Sequence, residues 1–331
     1  NGRLAVDTIA RRDVELVVLD IEMPVMDGLT ALPLLLAARP GVQILVASTL
    51  TRKNAEISLR AMAVGAADYV TKPSSTSELH SAEVFKRELV EKVKALAEAR
   101  RRGTGRALQG RPAAPRLVAS DGAAKRAQEI RLRTAPIARP ELIAIGSSTG
   151  GPQALTKLLG ALGREISQPI LVTQHMPATF TSLLAQHIGR AAGAPCAEAE
   201  EGERLERGRI YIAPGNFHLE LERDEECARL HLTQGPPENF CRPSVDPMLR
   251  SLAAAYGPQL LAVILTGMGT DGRKGAEAVI AAGGTVIAQD EATSVVWGMP
   301  GAVAAAGLCS AILPLTEIAP FVRKLVMRSA A

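Results

Sequence analysis

Residues 143–151 read IAIGSSTGG, a short apolar run that passes at once into small residues and glycines. Such a run, bounded by glycine, is typical of a buried strand in a parallel sheet. The turn behind it has two explanations. It is either a glycine-rich loop that binds a phosphate group, or a sharp turn that exposes a serine side chain as a nucleophile.

Strand-like and helical stretches alternate on both sides of this turn. Strands are predicted at residues 142–146, 169–175, 209–214, 260–267 and 284–290, and helices near 153–162, 179–192, 246–256 and 272–282. Further strands are predicted at 15–20, 42–48 and 67–70, before a helix with Phe85, Leu89, Val93 and Leu96 on one face. The alternation predicts α/β folds with mostly parallel sheets, the larger one doubly wound and Rossmann-like.

A basic stretch separates the two α/β regions. Residues 101–140 contain ten Lys or Arg and two acidic residues, whereas the whole chain carries only +4. The stretch is rich in Arg, Ala, Pro and Gly and has few large apolar residues, which is typical of a solvated linker. We therefore expect domains at 1–100 and 141–331, and no nucleic-acid partner, because the positive charge does not lie on a folded face.

Several classes of protein are disfavoured by what the sequence lacks. The four cysteines contain no C-x-x-C pair, which argues against a zinc site or a disulfide framework. No run of 18 apolar residues and no leader-like segment occurs, so we expect a cytoplasmic protein that is not inserted in a membrane.

The turn at 146–150 fits a nucleophile better than a phosphate cradle. Ser148 stands where a dinucleotide fingerprint needs its second glycine, and no Gly-Lys of a P-loop follows, but Gly146, Ser148 and Gly150 match G-x-S-x-G. The helix that follows offers N–H groups to a developing oxyanion. A purely structural turn remains the alternative explanation for Ser148.

Two further strand ends supply the partners that a serine nucleophile needs. His175 closes one predicted strand and Asp271 follows another, at the edge where Ser148 is expected. A structural histidine and a helix N-cap are the alternatives for these two residues. His218 is a weaker candidate for the base. The order Ser–His–Asp differs from that of the α/β-hydrolases.

The N-terminal region carries its own group of polar strand ends. Asp20, Ser48 and Lys72 each follow an apolar strand, so they are expected at one sheet edge, where they could bind a phosphoryl group. The motifs LDIEMPVMDG, LVAST and GAADYVTKP resemble those of response-regulator receiver domains, which have a flavodoxin-like fold. The resemblance implies that Asp20 accepts the phosphoryl group, with Ser48, Tyr69 and Lys72 as switch residues. It also implies that the domain is truncated at its N-terminus and lacks the acidic residues that hold Mg²⁺ for phosphorylation.

The C-terminal region resembles a second family through six motifs. They are IAIGSSTGGPQAL, VTQHMPATFTSLLA, YIAPGNFHLEL, RPSVDPML, ILTGMGTDGRKGA and AQDEATSVVWGMPGAV. They are similar to the catalytic domain of the chemotaxis protein-glutamate methylesterases, the CheB family. The resemblance implies that Ser148 is the nucleophile, His175 the base and Asp271 its orienting group. Thr149 and Met268 would supply oxyanion N–H groups, and the esterase would need no cofactor.

The same resemblance implies partners and regulation. Substrates would be methylated glutamates, and also glutamines, on methyl-accepting chemotaxis receptors, and a chemotaxis histidine kinase would phosphorylate the receiver. Two other functions remain open at this point. A nucleotide-dependent oxidoreductase would bind nucleotide at the glycine turn, and a non-enzymatic response regulator would lose no catalysis on replacement of Ser148.

Overall fold

The computed structural model describes residues 1–73, 79–103, 130–134, 138–223 and 227–327. Most of the predicted linker at 101–140 therefore lies outside the described residues. No helix in those ranges is long and apolar enough to cross a bilayer.

The smaller sheet has three parallel strands in the order β1 (Leu16–Asp20), β2 (Gln43–Thr49) and β3 (Asp68–Lys72). Its helices are α1 (Gly2–Ile9), α2 (Gly28–Ala38), α3 (Arg52–Val64) and α4 (Leu79–Gly103). Asp27 and Thr51 begin α2 and α3 by accepting hydrogen bonds from backbone N–H groups of the first turn. Because the three strands are parallel, Asp20 at the end of β1 and Lys72 at the end of β3 lie at the same sheet edge.

The larger sheet has seven strands, all parallel, as the alternation of the sequence predicted. Their order across the sheet is β12 (Ala311–Leu313), β11 (Thr285–Gln289), β10 (Leu260–Ile264), β4 (Leu142–Ser147), β5 (Ile170–Gln174), β7 (Ile210–Ile212) and β6 (Cys196–Glu198). The chain leaves β4 toward β5 on one side and later returns to β10 on the other. The crevice at this reversal is where such sheets place their sites.

Helices cover both faces of the larger sheet. One face carries α5 (Gly151–Leu162), α6 (Ala178–Ala192) and α10 (Leu315–Val326), and the other carries α7 (Val245–Tyr256), α8 (Arg273–Ala281) and α9 (Met299–Ala305). Ile143 and Ile145 pack into the first hydrophobic cluster, while Leu142 and Ala144 pack into the second. This two-residue period explains why β4 is apolar throughout.

Several elements were not predicted from the sequence. They are β6, β12, α9, α10 and β8 (His218–Arg223). Strand β8 pairs with β9 (Ala228–Thr233) in an antiparallel hairpin. The hairpin contains His218, which is buried and bonded through its two ring nitrogens to the carbonyl of Pro236 and the N–H of Ser244. His218 is therefore held in the core by backbone groups.

Candidate active site

The serine turn is shaped by close contacts at its glycines. A Cβ atom at Gly146 would lie 2.5 Å from the Val245 side chain, and one at Gly150 would lie 2.6 Å from Val295. Gly150 also has a φ of +78°, in the left-handed region that favours glycine. Ser148 follows β4 directly and is half-buried, with its N–H donating to the carbonyl of Thr266 at 3.1 Å. The turn therefore holds Ser148 at the edge of the sheet, with α5 beginning three residues later.

His175 and Asp271 meet at the same edge. His175 follows β5, and Asp271 lies between β10 and α8. Strands β5 and β10 are the two that flank β4. His175 Nε2 is 2.6 Å from Asp271 Oδ2, and the side chains are 12% and 2% exposed. The structure thus brings together the histidine and the aspartate that the sequence nominated, next to the serine turn.

Hydrogen bonds hold the Asp271 carboxylate in its ionised form. It accepts bonds from the N–H groups of Val245, Asp246 and Gly272, the Ser244 hydroxyl and the Asn239 amide. Burial alone would raise the pKa of Asp271, but His175 and these donors hold that pKa well below its usual range. Asp271 does not cap α8, as the sequence alternative suggested; it accepts the first N–H groups of α7 instead.

The second nitrogen of His175 contacts a thiol that the sequence analysis did not single out. His175 Nδ1 is 3.3 Å from Cys241 Sγ, so both ring nitrogens have a partner. Burial lowers the pKa of His175, but its interactions with Cys241 and Asp271 outweigh burial and raise the pKa to about 10. Ser148 Oγ, in contrast, makes no hydrogen bond to any residue that the structure describes.

The predicted oxyanion donors are buried or line the site. Thr149 is buried and Met268 lines the cavity beside Ser148. Within the described ranges, neither backbone N–H donates a hydrogen bond to another group of the protein. The Thr266 hydroxyl donates to the Thr149 carbonyl at 2.9 Å, which fixes the peptide group between Thr149 and Gly150. Both N–H groups therefore lack a partner among the described residues.

Helix α4 forms one wall of the cavity at this site. The cavity has a volume of about 700 Å³ and contains Ser148, His175 and Asp271. Its opposite wall contains residues of α4 from Arg87 to Glu98. Beside it, the Thr149 hydroxyl donates to Asp68 Oδ2 at 2.8 Å, and Tyr69 stacks on Phe180 with ring centroids 4.4 Å apart. The smaller sheet and its last helix are thus packed directly against the serine turn.

The edge of the smaller sheet brings together two of its predicted residues. Lys72 Nζ lies 2.6 Å from Asp20 Oδ2, while the other carboxylate oxygen accepts the Glu22 N–H at 3.1 Å. The Ser48 hydroxyl is directed elsewhere, to the carbonyls of Thr49 and Asn54. The described side chains contain no group of three or more His, Cys, Asp or Glu that could hold a metal ion. Within the described ranges, Asp20 therefore belongs to no such group.

Fold and site together define a class of protein. A small parallel sheet with an Asp–Lys edge is packed on a larger parallel sheet that carries a serine turn and a His–Asp pair. A family model for the CheB methylesterases matches residues 143–322, and one for response regulator receiver domains matches residues 1–83. The chain belongs to the CheB methylesterase family.

Known proteins resemble the chain over nearly its whole length. A Paramagnetospirillum magneticum protein named "Protein-glutamate methylesterase/protein-glutamine glutaminase 1" is 56% identical over 99% of this chain and 88% of its own. An Azospirillum brasilense protein with the same name, without the number, is 54% identical over 100% of this chain and 85% of its own. The crystal structure of the Thermotoga maritima CheB methylesterase catalytic domain covers 57% of this chain and 100% of its own, with 42% identity and a TM-score of 0.56. These matches favour the esterase over the two other functions that the sequence left open.

Proposed function

We propose that the chain hydrolyses glutamate methyl esters, and deamidates glutamines, on the cytoplasmic helices of methyl-accepting chemotaxis receptors. The curated relatives carry both activities in their names. The observation that carries the proposal is the 2.6 Å contact of His175 with a buried aspartate, at the strand edge that also presents Ser148. An enzyme acting on those helices works in the cytoplasm.

Ser148 is the proposed nucleophile and His175 its base. Ser148 Oγ attacks the side-chain carbonyl carbon of the ester, and His175 accepts the serine proton. Because Asp271 occupies Nε2, the nitrogen that serves Ser148 is Nδ1. That nitrogen must leave Cys241 before it can accept the proton. His175 then donates the proton to the departing methanol, and water hydrolyses the acyl-enzyme by the same route in reverse.

Asp271 orients the imidazole and stabilises its positive charge. Its other hydrogen bonds fix the carboxylate, so the ring has one preferred position. The unoccupied N–H groups of Thr149 and Met268 are the proposed donors to the tetrahedral oxyanion, at the N-terminal end of α5 and beside β10. This chemistry uses no metal and no organic cofactor.

The receiver is the proposed regulator. We divide the chain into a receiver at 1–100, a linker at 101–140 and a catalytic domain at 141–331, in line with the two family matches. A chemotaxis histidine kinase would phosphorylate Asp20, where Lys72 is placed to neutralise charge and Ser48 and Tyr69 are the switch residues. Since α4 forms one wall of the cavity, a change in the conformation of the receiver would alter access to Ser148.

Methanol release from methylated receptor membranes tests the proposal. The Ser148→Ala variant should lose about 10³-fold or more of the parent rate, since the nucleophile acts as a unit with its base. Ser147→Ala is the matched control. Its hydroxyl donates to Gln174 rather than facing the cavity, so it should lose stability but keep catalysis. Equal release by the parent and a folded Ser148→Ala variant would remove Ser148 from the mechanism.

A further inference from the structure

The turn that carries Cys241 has an unusual backbone. Glu238 and Cys241 exchange two backbone hydrogen bonds, of 3.1 and 2.9 Å, and the two residues between them have positive φ. Asn239 and Phe240 have φ values of +51° and +63°, in the left-handed region that residues other than glycine seldom adopt. The turn leaves Phe240 82% exposed and directs Cys241 into the cavity beside Ser148. The backbone is strained where it delivers the thiol.

Cys241 forms a continuous row with the base and its carboxylate. Sγ is 3.3 Å from His175 Nδ1, and Nε2 of the same ring is 2.6 Å from Asp271. A thiol, an imidazole and a carboxylate in this order are the arrangement by which cysteine nucleophiles are activated. Ser148 has no such contact here. In this conformation the nucleophile prepared by His175 is therefore the sulfur.

Two other cysteines lie in contrasting surroundings. Burial raises the pKa of the Cys309 thiol to about 12, and burial likewise raises that of Cys196 to about 12 despite Arg209. Both therefore stay protonated at neutral pH. Cys241 is half-buried, lines the cavity and has Nδ1 of His175 3.3 Å from its sulfur. An adjacent histidine and partial access are the surroundings of reactive thiols.

We propose that Cys241 is a modification site for soft electrophiles, hydroperoxides among them, and that its modification stops ester hydrolysis. With hydrogen peroxide, the Sγ proton passes to His175 Nδ1, and Sγ bonds to one oxygen as the O–O bond breaks. The leaving hydroxide takes the proton of His175 and departs as water, and the sulfur becomes a sulfenic acid. With iodoacetamide, Sγ bonds to the methylene carbon and iodide leaves.

Modification at Cys241 Sγ would block His175 Nδ1, the nitrogen that acts as the base in the proposed mechanism. The adduct lies against Nδ1, the nitrogen that Ser148 requires, and it occupies the cavity that must admit the ester. A group on Cys241 therefore keeps the base from Ser148 without touching the serine. This part of the proposal rests on the proposed esterase function, whereas the reactivity of the thiol does not.

Labelling of the full chain by iodoacetamide at pH 7, followed by peptide mass spectrometry, tests the reactivity directly. Cys241 should be labelled about tenfold or more faster than Cys196 in the same molecule. In His175→Gln the rate at Cys241 should fall about tenfold, since the activating ring has gone. Labelling of Cys241 no faster than that of Cys196 overturns the proposal, whether or not methanol is released.

Residual methanol release, measured on the same samples, tests the consequence. The parent and a Cys196→Ser control should lose activity in step with label at Cys241, and treatment with dithiothreitol should restore activity lost to peroxide. Cys241→Ser should keep its own untreated rate after either reagent. Equal inhibition of Cys241→Ser and the parent overturns the proposal. A parent chain that releases no methanol before treatment contradicts the esterase function instead, and the labelling rates then decide whether Cys241 is reactive.

Discussion

The two parallel sheets end in two carboxylates that are built for different tasks. Asp20, at the edge of the smaller sheet, has a side chain 37% exposed and pairs with Lys72. Asp271, at the edge of the larger sheet, is 2% exposed and is surrounded by fixed donors. A partly exposed carboxylate with a long, flexible partner can exchange that partner for another group. A buried one with backbone donors keeps its histidine in place, so similar positions in similar sheets are suited to exchange in one case and to orientation in the other.

The largest expected effect comes from weakening the buried carboxylate. Asp271→Asn should reduce methanol release by about 10⁴-fold, because an amide favours the wrong tautomer of His175. It should also lower the free energy of unfolding by about 1–3 kcal/mol, since its NH₂ group faces donors such as the Val245 N–H. Rates under saturating receptor and urea unfolding curves measure the two effects. A folded variant with more than a tenth of the parent rate would contradict the orienting role.

The pH dependence of the rate sharpens the same comparison. With the pKa of His175 raised to about 10, kcat/KM should rise with pH until the ring has lost its proton near that value. The stability that the ring gains from its partners is present below its unfolded pKa of about 6.5 and is lost as pH rises through the folded value. Cys241→Ser removes the sulfur that helps to raise the pKa of the ring, so the rate of this variant should begin to rise at lower pH.

A pH series from 6 to 10, corrected for spontaneous ester hydrolysis, measures this shift. Cys196→Ser is the control, because Cys196 lies on β6 and does not contact His175. A profile for Cys241→Ser that coincides with the parent's would show that the thiol does not set the pKa of the base.

The sequence was sufficient to predict the core of the larger sheet and the residues at its edge. Strands β4, β5 and β10 are continuous apolar runs because both of their faces are buried, and a polar residue directly after such a run lies at the carboxyl edge. The sequence analysis placed Ser148, His175 and Asp271 at one edge from these strand ends together with the G-x-S-x-G match and the family resemblance. The short strands β6 and β12 have three residues each, too few for a recognisable period.

The contacts of Cys241 and Thr149 could not be predicted in the same way. Cys241 lies in an irregular turn with positive φ values, and no spacing in the sequence relates it to His175. Thr149 contacts Asp68, which is 81 residues away, across two sheets. Such contacts depend on how separately folded layers are packed, which periodicity within one element does not describe. A contact between residues that are far apart in the sequence leaves no pattern in the residues next to either of them.

Two ion pairs of α4 extend the contrast between buried and exposed charge. Lys92 Nζ lies 3.0 Å from Asp68 Oδ2, with side chains 12% and 4% exposed, next to the Thr149 contact. Lys92→Met should lower the free energy of unfolding by about 3 kcal/mol, because it leaves Asp68 buried without its cation. It should also raise methanol release a few-fold by loosening the wall over the cavity.

The control for this variant is Arg102→Met, at the pair between α4 and Glu291. Those side chains are 60% and 52% exposed, so the loss should be less than about 1 kcal/mol. Circular dichroism in urea and methanol release should be followed for both variants. Equal effects from the two would mean that burial of the Lys92–Asp68 pair does not hold α4 against the catalytic cavity.

The smallest effect is expected at the Asp20–Lys72 pair. Its side chains are 37% and 32% exposed, so solvent screens the 2.6 Å contact, and Lys72→Ala should cost less than about 1 kcal/mol. A double-mutant cycle with Asp20→Ala, read by urea unfolding, isolates the interaction between the two side chains. A coupling energy above about 2 kcal/mol would make this edge as tightly held as the one around Asp271. A small value is the behaviour that a carboxylate needs if Lys72 is to release it to a phosphoryl group and then bind that group instead.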